Sequence, residues 1–117
     1  MNFFGQQLKY FLLATLLSIY SFNVQAATDD AKAGALAKQN ACLGCHAVDK
    51  KIVGPSFQAV AKKYATDPTA STFLKNKILK GGSGSWGVVP MPANAKLSDA
   101  DVSLLAAWIL RGAPATN

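Results

Sequence analysis

Apolar residues recur at helical spacing along most of the chain beyond residue 28. The last repeat is the clearest: Val102, Leu105, Trp108 and Ile109 follow one another at three and four. Ser98 stands where an N-cap belongs, Asp99 and Asp101 fall in the first turn, and Gly112 with Pro114 closes the segment. An earlier helix is predicted from about Ser56 to Tyr64, after Gly54-Pro55, with Phe57, Val60 and Ala61 on one face. Another begins near Asp67-Pro68 and runs to Lys80. There Phe73, Leu74, Lys77 and Ile78 keep the helical period, and Gly81-Gly82 stop it. The first helix of the set covers roughly Asp29 to Asn40. Asp29 and Asp30 suit the positive end of its dipole and Lys38 the negative end. Gly34 interrupts its run of alanines at a cost, which predicts a close helix crossing there.

One stretch breaks the period. Residues 81–96, GGSGSWGVVPMPANAK, are too rich in Gly and Pro for helix or strand, yet carry Trp86, Val88, Val89 and Met91. A long irregular loop with apolar side chains needs something to pack against. No segment reads as a strand with a partner, so the expectation is an all-α domain with this loop wrapped on an object outside the pattern.

The N-terminus follows another rule. After Lys9 comes an apolar run from Tyr10 to Ile19, broken only by Thr15 and Ser18, and then Val24-Gln25-Ala26. The run is short of the roughly 20 apolar residues that a spanning helix needs. It reads as a Sec-type signal peptide over residues 1–26, cleaved between Ala26 and Ala27, with the domain in residues 27–117. The expected location is the periplasm, with no membrane span after cleavage.

Composition then narrows the partners. The 117 residues are 50% hydrophobic, and the N-terminal run concentrates that excess. Without Lys9, eleven Lys/Arg face six Asp and no Glu, a formal charge of about +5. The lysines are scattered, arginine is nearly absent and no basic run interleaves with aromatics, which excludes a nucleic-acid partner. A domain of ~90 residues has a small core that benefits from extra stabilisation. Two cysteines cannot supply a disulfide framework.

Those cysteines sit in CLGCH, Cys42 to His46, with the chain's only histidine. A thioredoxin-like dithiol expects a βαβ setting that this chain lacks. A zinc site needs four ligands, and no further Cys or His exists. The reading that remains is covalent haem attachment, for which C-x-x-C-H is the signature. Each thiol adds to a vinyl group of one porphyrin, and the adjacent His46 binds the iron through Nε2. Leu43 is expected to pack locally and Gly44 to ease the tight turn. A sixth ligand comes from Met91, the one methionine beyond the signal segment, which Pro90 and Pro92 stiffen. The opposing reading for a lone Met is core filling. Two protein ligands leave no open site for a substrate, which argues against an enzyme. Val53-Gly54-Pro55 is a rigid turn whose backbone carbonyl can hold the histidine ring, or simply an ordinary helix-start turn.

The order CxxCH, VGP, a Gly-rich loop with Trp, PMPxN and a C-terminal amphipathic helix with Trp resembles the small bacterial class I cytochromes c. Within them it is most similar to the monohaem cytochrome c-551 type, over residues 28–111. The resemblance implies a compact all-α class I cytochrome c fold, about four helices wrapped around one covalent haem c. The first and last helices would cross near Gly34 and Trp108. It implies Cys42 and Cys45 as thioethers, His46 and Met91 as axial ligands, and Pro55 as the carbonyl that accepts from the His46 ring. Asn94 would hydrogen-bond the Met91 region, and Trp86 would donate to a haem propionate. Members of the family often place an arginine beside that propionate, where this chain has Lys77, a point charge instead of a fork.

The implied function is a one-electron shuttle between respiratory redox proteins, with a nitrite reductase or a terminal oxidase as acceptor, working as a monomer. Lys50, Lys51, Lys80 and Lys96 flank the two haem loops, as a cationic ring that steers an acidic partner or as an ordinary solvated surface. The alternative function is a gas-binding or peroxidase-like haem protein in which Met91 dissociates.

Overall fold

The computed structural model of the chain describes Gly5, Tyr10 and residues 25–115. The expected signal segment therefore lies almost wholly outside the described residues; Gln25 and Ala26, next to the expected cut, are helical and exposed.

Four α-helices make up the domain. Helix α1 occupies residues 25–39. The Asn40 side chain donates to the Leu36 carbonyl at 2.9 Å and its backbone N–H reaches the same oxygen at 3.0 Å, which closes the last turn. A short 3₁₀ turn, Cys42–Gly44, follows. Helix α2 is Phe57–Lys63, and the Ser56 hydroxyl caps it by accepting from the Ala59 N–H at 3.0 Å. Helix α3 is Ala70–Lys80 and helix α4 is Asp99–Leu110. The Ser98 hydroxyl accepts from the Asp101 N–H at 3.1 Å, as its place in the sequence predicts.

Helix α3 starts later than its sequence pattern. Asp67 accepts from the Thr69 N–H at 2.8 Å and from its hydroxyl at 2.7 Å. Those bonds commit residues 67–69 to a turn, and the helix begins only beyond it. At the far end of α4, Gly112 has φ 86°, the N–H of Gly112 donates to Ile109 and that of Ala113 to Trp108. The helix thus ends in the left-handed closure that a glycine permits.

Helix α4 is the axis of the core. Val102 and Leu105 are fully buried among Ala33 and Ala37 of α1, Phe57 and Val60 of α2, and Leu74 and Ile78 of α3. The expected crossing is present: a Cβ on Gly34 would lie 4.0 Å from Cζ2 of Trp108. Lys32–Asp101 at 3.4 Å and Arg111–Asp30 tie α1 to α4 at the surface, and Lys75–Asp99 at 2.8 Å ties α3 to α4. Exposed pairs of this kind add little each, so the burial of small residues at the crossing holds the helices together. Among the described residues there is no strand, only isolated bridges at His46–Lys51 and Gly82–Met91. No described helix is long and apolar enough to cross a membrane.

Candidate cofactor site

A cavity of about 540 Å³ opens between α2, α3, the segment after α1 and the loop before α4. It brings together what lies far apart in sequence: Cys42, Cys45 and His46 from one segment, Met91 from the other. Apolar side chains of Val60, Leu74, Ile78, Leu105 and Ile109 form much of its lining. This is the object the irregular loop packs around, and its volume lies in the range of ordinary cofactor sites.

The His46 side is tightly built. Nδ1 of His46 lies 2.7 Å from the carbonyl oxygen of Pro55. A carbonyl only accepts, so Nδ1 carries the proton and Nε2 keeps its lone pair, which is the form a metal ligand requires. Gly54 permits the approach: a Cβ there would stand 2.8 Å from Nδ1 and 3.0 Å from Nε2. The Gly54 N–H also donates to the Cys45 carbonyl at 2.7 Å, folding the VGP turn onto CLGCH. The Phe57 ring stacks on His46 at 5.4 Å between centroids and 19° between planes. Trp108 in turn packs on Phe57, tilted by 60° with centroids 5.4 Å apart, so the ring that braces the imidazole is itself held from α4.

The two cysteines form no disulfide with each other and sit at half-buried positions facing the cavity. Burial pushes the Cys42 thiol above its ordinary value, partly offset by a backbone hydrogen bond, with the neighbouring Cys45 adding to the rise. Two expectations about the residues between them need correction. Gly44 has ordinary backbone angles and nothing near its Cβ direction; the left-handed residue is Ala41, at φ 57°. The tight turn is taken one residue before the motif, where the first residue of CLGCH must start a 3₁₀ turn straight after α1 closes. Leu43 is 44% exposed and takes no part in the core, because that turn directs the residues between the cysteines outward.

The Met91 side is looser. Gly82 and Met91 exchange two backbone hydrogen bonds of 2.9 Å each, which pin the base of the loop. Gly81, at φ 67°, lies against the next stretch: a Cβ there would stand 2.9 Å from the Ala93 N–H nitrogen. Beyond that base Val88 projects into solvent, while Val89 is largely exposed but also borders the cavity. The Asn94 N–H donates to the Ile78 carbonyl at 2.9 Å, and its side chain reaches the carbonyl of Pro92, beside Met91, at 3.5 Å. Trp86 and Lys77 both line the cavity. Lys50, Lys51, Lys80 and Lys96 are all exposed.

Sequence reasoning missed two contributors. Phe57 reads as plain core from its spacing, and nothing local announces that it braces His46. Lys63 reads as a solvated helix charge, yet it contacts both Ser85 and Trp86. The VGP turn carried a usable signal for Gly54, since a glycine before a proline marks a constrained backbone.

The donor set and cavity fit a covalently held haem: two thiols two residues apart, an imidazole with its Nε2 lone pair kept, and a thioether, around one apolar space. The family model for cytochrome c matches residues 31–113. Cytochrome c-552 of Nitrosomonas europaea is 52% identical over 75 residues, covering 64% of this chain and 73% of that one. Cytochrome c-551 of Pseudomonas aeruginosa is 38% identical over 104 residues, covering 88% of this chain and 97% of that one. The crystal structure of Nitrosomonas europaea cytochrome c552 superposes with a TM-score of 0.65 at 49% identity, over 68% of this chain and 98% of that chain.

Proposed function

The chain belongs to the cytochrome c family, and we propose that it is an exported carrier whose one haem c is held axially by His46 and Met91 and which passes single electrons between respiratory proteins. Membership makes it a monohaem electron carrier and not an enzyme, with Cys42 and Cys45 as the covalent attachment. When bound, the haem supplies a one-electron ferric–ferrous cycle.

The hydrogen bond from His46 Nδ1 to the Pro55 carbonyl carries the ligand assignment. It fixes the tautomer and the ring plane, and raises the basicity of Nε2 toward a metal. Met91 offers a soft, neutral sulfur, which favours the ferrous state and so a high potential. Trp86 and Lys77 sit at the cavity edge, where an indole N–H and an ammonium can meet the propionates. Asn94 steadies the backbone around Met91. His46 and Met91 would both stay bound through the cycle, so a change of oxidation state would ask little movement of the chain.

Replacing Met91 with Ala should abolish the low-spin His/Met spectrum, including the ferric thioether charge-transfer band at the red end of the visible. If that spectrum survived, the ligand assignment would be wrong. Rapid carbon monoxide binding by the native ferrous protein would favour the gas-binding reading instead.

Residues 1–26 act in this reading as the leader that sends the chain to the periplasm. The relatives support it: a similar share of this chain covers 98% of the crystallised Nitrosomonas protein but only 73% of the full curated sequence. The crystallised chain therefore lacks a segment that its full sequence has. For the partner, Lys50, Lys51, Lys80 and Lys96 favour an acidic docking patch on a reductase or oxidase. Electron-transfer rates with that partner should fall as ionic strength rises, and a flat salt profile would remove the steering role.

A further inference from the structure

The loop from Gly82 to Met91 is closed at its base by the paired hydrogen bonds between those two residues. Within it, the Gly84 N–H donates to Gly87 at 2.7 Å, which shapes the loop but anchors it to nothing else. Gly82, Gly84 and Gly87 all have positive φ, and Val88 is 90% exposed. Apart from the face that Ser83, Ser85, Trp86 and Val89 turn to the cavity, backbone preference and contacts with the chain do little to hold the tip. Among the described residues, one hydrogen bond connects residues 83–89 to the rest of the chain. Lys63, at the end of α2, donates from Nζ to the Ser85 carbonyl at 2.6 Å. The same Nζ lies 4.3 Å from the centroid of the Trp86 ring, within cation–π range. A single cation thus grips both the backbone before Trp86 and the face of the indole, from a helix that itself contributes Val60 to the cavity lining.

We propose that Lys63 is a positioning residue: it latches the glycine-rich loop onto α2, keeps Trp86 against the cavity edge, and thereby limits how often Met91 swings away from the iron. The inference rests on the assignment of Met91 as axial ligand. The latch acts at a distance from the sulfur, through a loop whose base at Gly82–Met91 includes the ligand residue itself. Releasing the tip loosens that base, which two backbone hydrogen bonds, the close approach of Gly81 and the partial burial of Met91 otherwise hold.

The test uses the purified haem-loaded protein and compares Lys63→Met, Lys63→Arg and Lys62→Met. Lys63→Met keeps the apolar stem and removes the grip. Lys63→Arg keeps a donor and a cation that can stack on Trp86. Lys62→Met removes the same charge one residue away on α2. Two quantities are read: the rate at which cyanide binds the ferric protein, which is limited by Met91 leaving, and the hydrogen exchange of the Trp86 indole N–H by NMR. Lys63→Met should speed both by roughly tenfold, the equivalent of one charge-assisted hydrogen bond. Lys63→Arg should return both close to wild type and Lys62→Met should leave them unchanged. Equal rates in Lys63→Met and wild type would overturn the latch, and so would an equal acceleration in Lys62→Met, which would reduce the effect to charge. The thioether charge-transfer band of the wild-type protein separates the two levels: its absence overturns the Met91 assignment, whereas its presence with unchanged rates overturns the latch only.

Discussion

His46 and Met91 line one cavity, but the chain holds them by different means. His46 sits under a braced stack: its Nδ1 on the Pro55 carbonyl, Phe57 on its face, Trp108 behind Phe57, and Gly54 pressed close enough to exclude any side chain. Met91 is partly buried against the core but sits at the base of a loop whose tip makes few contacts with the chain, fixed by two backbone bonds to Gly82 and by the close approach of Gly81. The first arrangement belongs to the hydrophobic core and inherits its rigidity. The second is assembled from local backbone bonds and a surface cation. In the site proposed above both side chains are ligands, so the looser one would set how easily that site opens.

The largest expected effect contrasts the two regions directly. Trp108→Ala removes the back of the stack and leaves a void at the helix crossing, and should cost about 3–5 kcal/mol in denaturant unfolding of the haem-loaded protein. Val88→Ala, on the loop, should stay within about 0.5 kcal/mol, since that side chain is 90% exposed. Comparable costs for the two would erase the distinction.

Glycine substitutions sharpen it next. Gly54→Ala forces a methyl group against the imidazole and should cost about 1–3 kcal/mol of stability while displacing His46 from Pro55. The ring N–H resonance of His46, read by NMR, should shift or vanish. Gly81→Ala pushes instead on the backbone of residues 91–93 and demands φ near +67° from an L-residue. It should alter the thioether charge-transfer band and leave the His46 ring resonance in place. A change in both signals from either substitution would mean that the two regions move as one.

Smallest, and expected to touch neither ligand, is the cap of α4. Ser98→Ala should cost about 1 kcal/mol of global stability with an unchanged spectrum. Asp101 adds a pH signature. Its hydrogen bond with Ser98, and then Lys32, hold its carboxyl below the usual range. A carboxyl depressed in the folded state contributes above its unfolded pKa, and that contribution fades as pH falls through the lower folded value. The gap between wild type and Ser98→Ala in thermal unfolding should therefore narrow as pH falls below the ordinary carboxylate range, without closing, because the bond from the Asp101 N–H to the Ser98 hydroxyl does not titrate.

Much of this was legible in the chain. The helix containing Trp108 declares itself by spacing and by Ser98, and CLGCH with a distant Met91 points to a haem once zinc and a disulfide framework are removed. The Gly34 crossing followed from one misplaced glycine. Other features gave no local signal. The start of α3 moved because the Asp67 side chain competes for backbone donors. The left-handed turn fell on Ala41 and not on Gly44, because the end of α1 needs it there. Lys63 looks like any other solvated lysine until the loop returns to meet it.

Local chemistry is written in the order of residues. Two cysteines and a histidine at fixed spacing define an attachment motif, and caps and periods define helices, because each depends on atoms within a few positions of one another. The sequence by itself therefore determined the cofactor class, the helical fold and the two axial candidates. The Pro55 carbonyl was already implied by the VGP turn, and the structure places it 2.7 Å from Nδ1 of His46; only the tertiary structure decided which ring braces the imidazole and which cation grips the loop. Those choices depend on segments that meet only after α4 has brought α1, α2 and α3 around a common core, and no spacing rule in one dimension encodes that meeting.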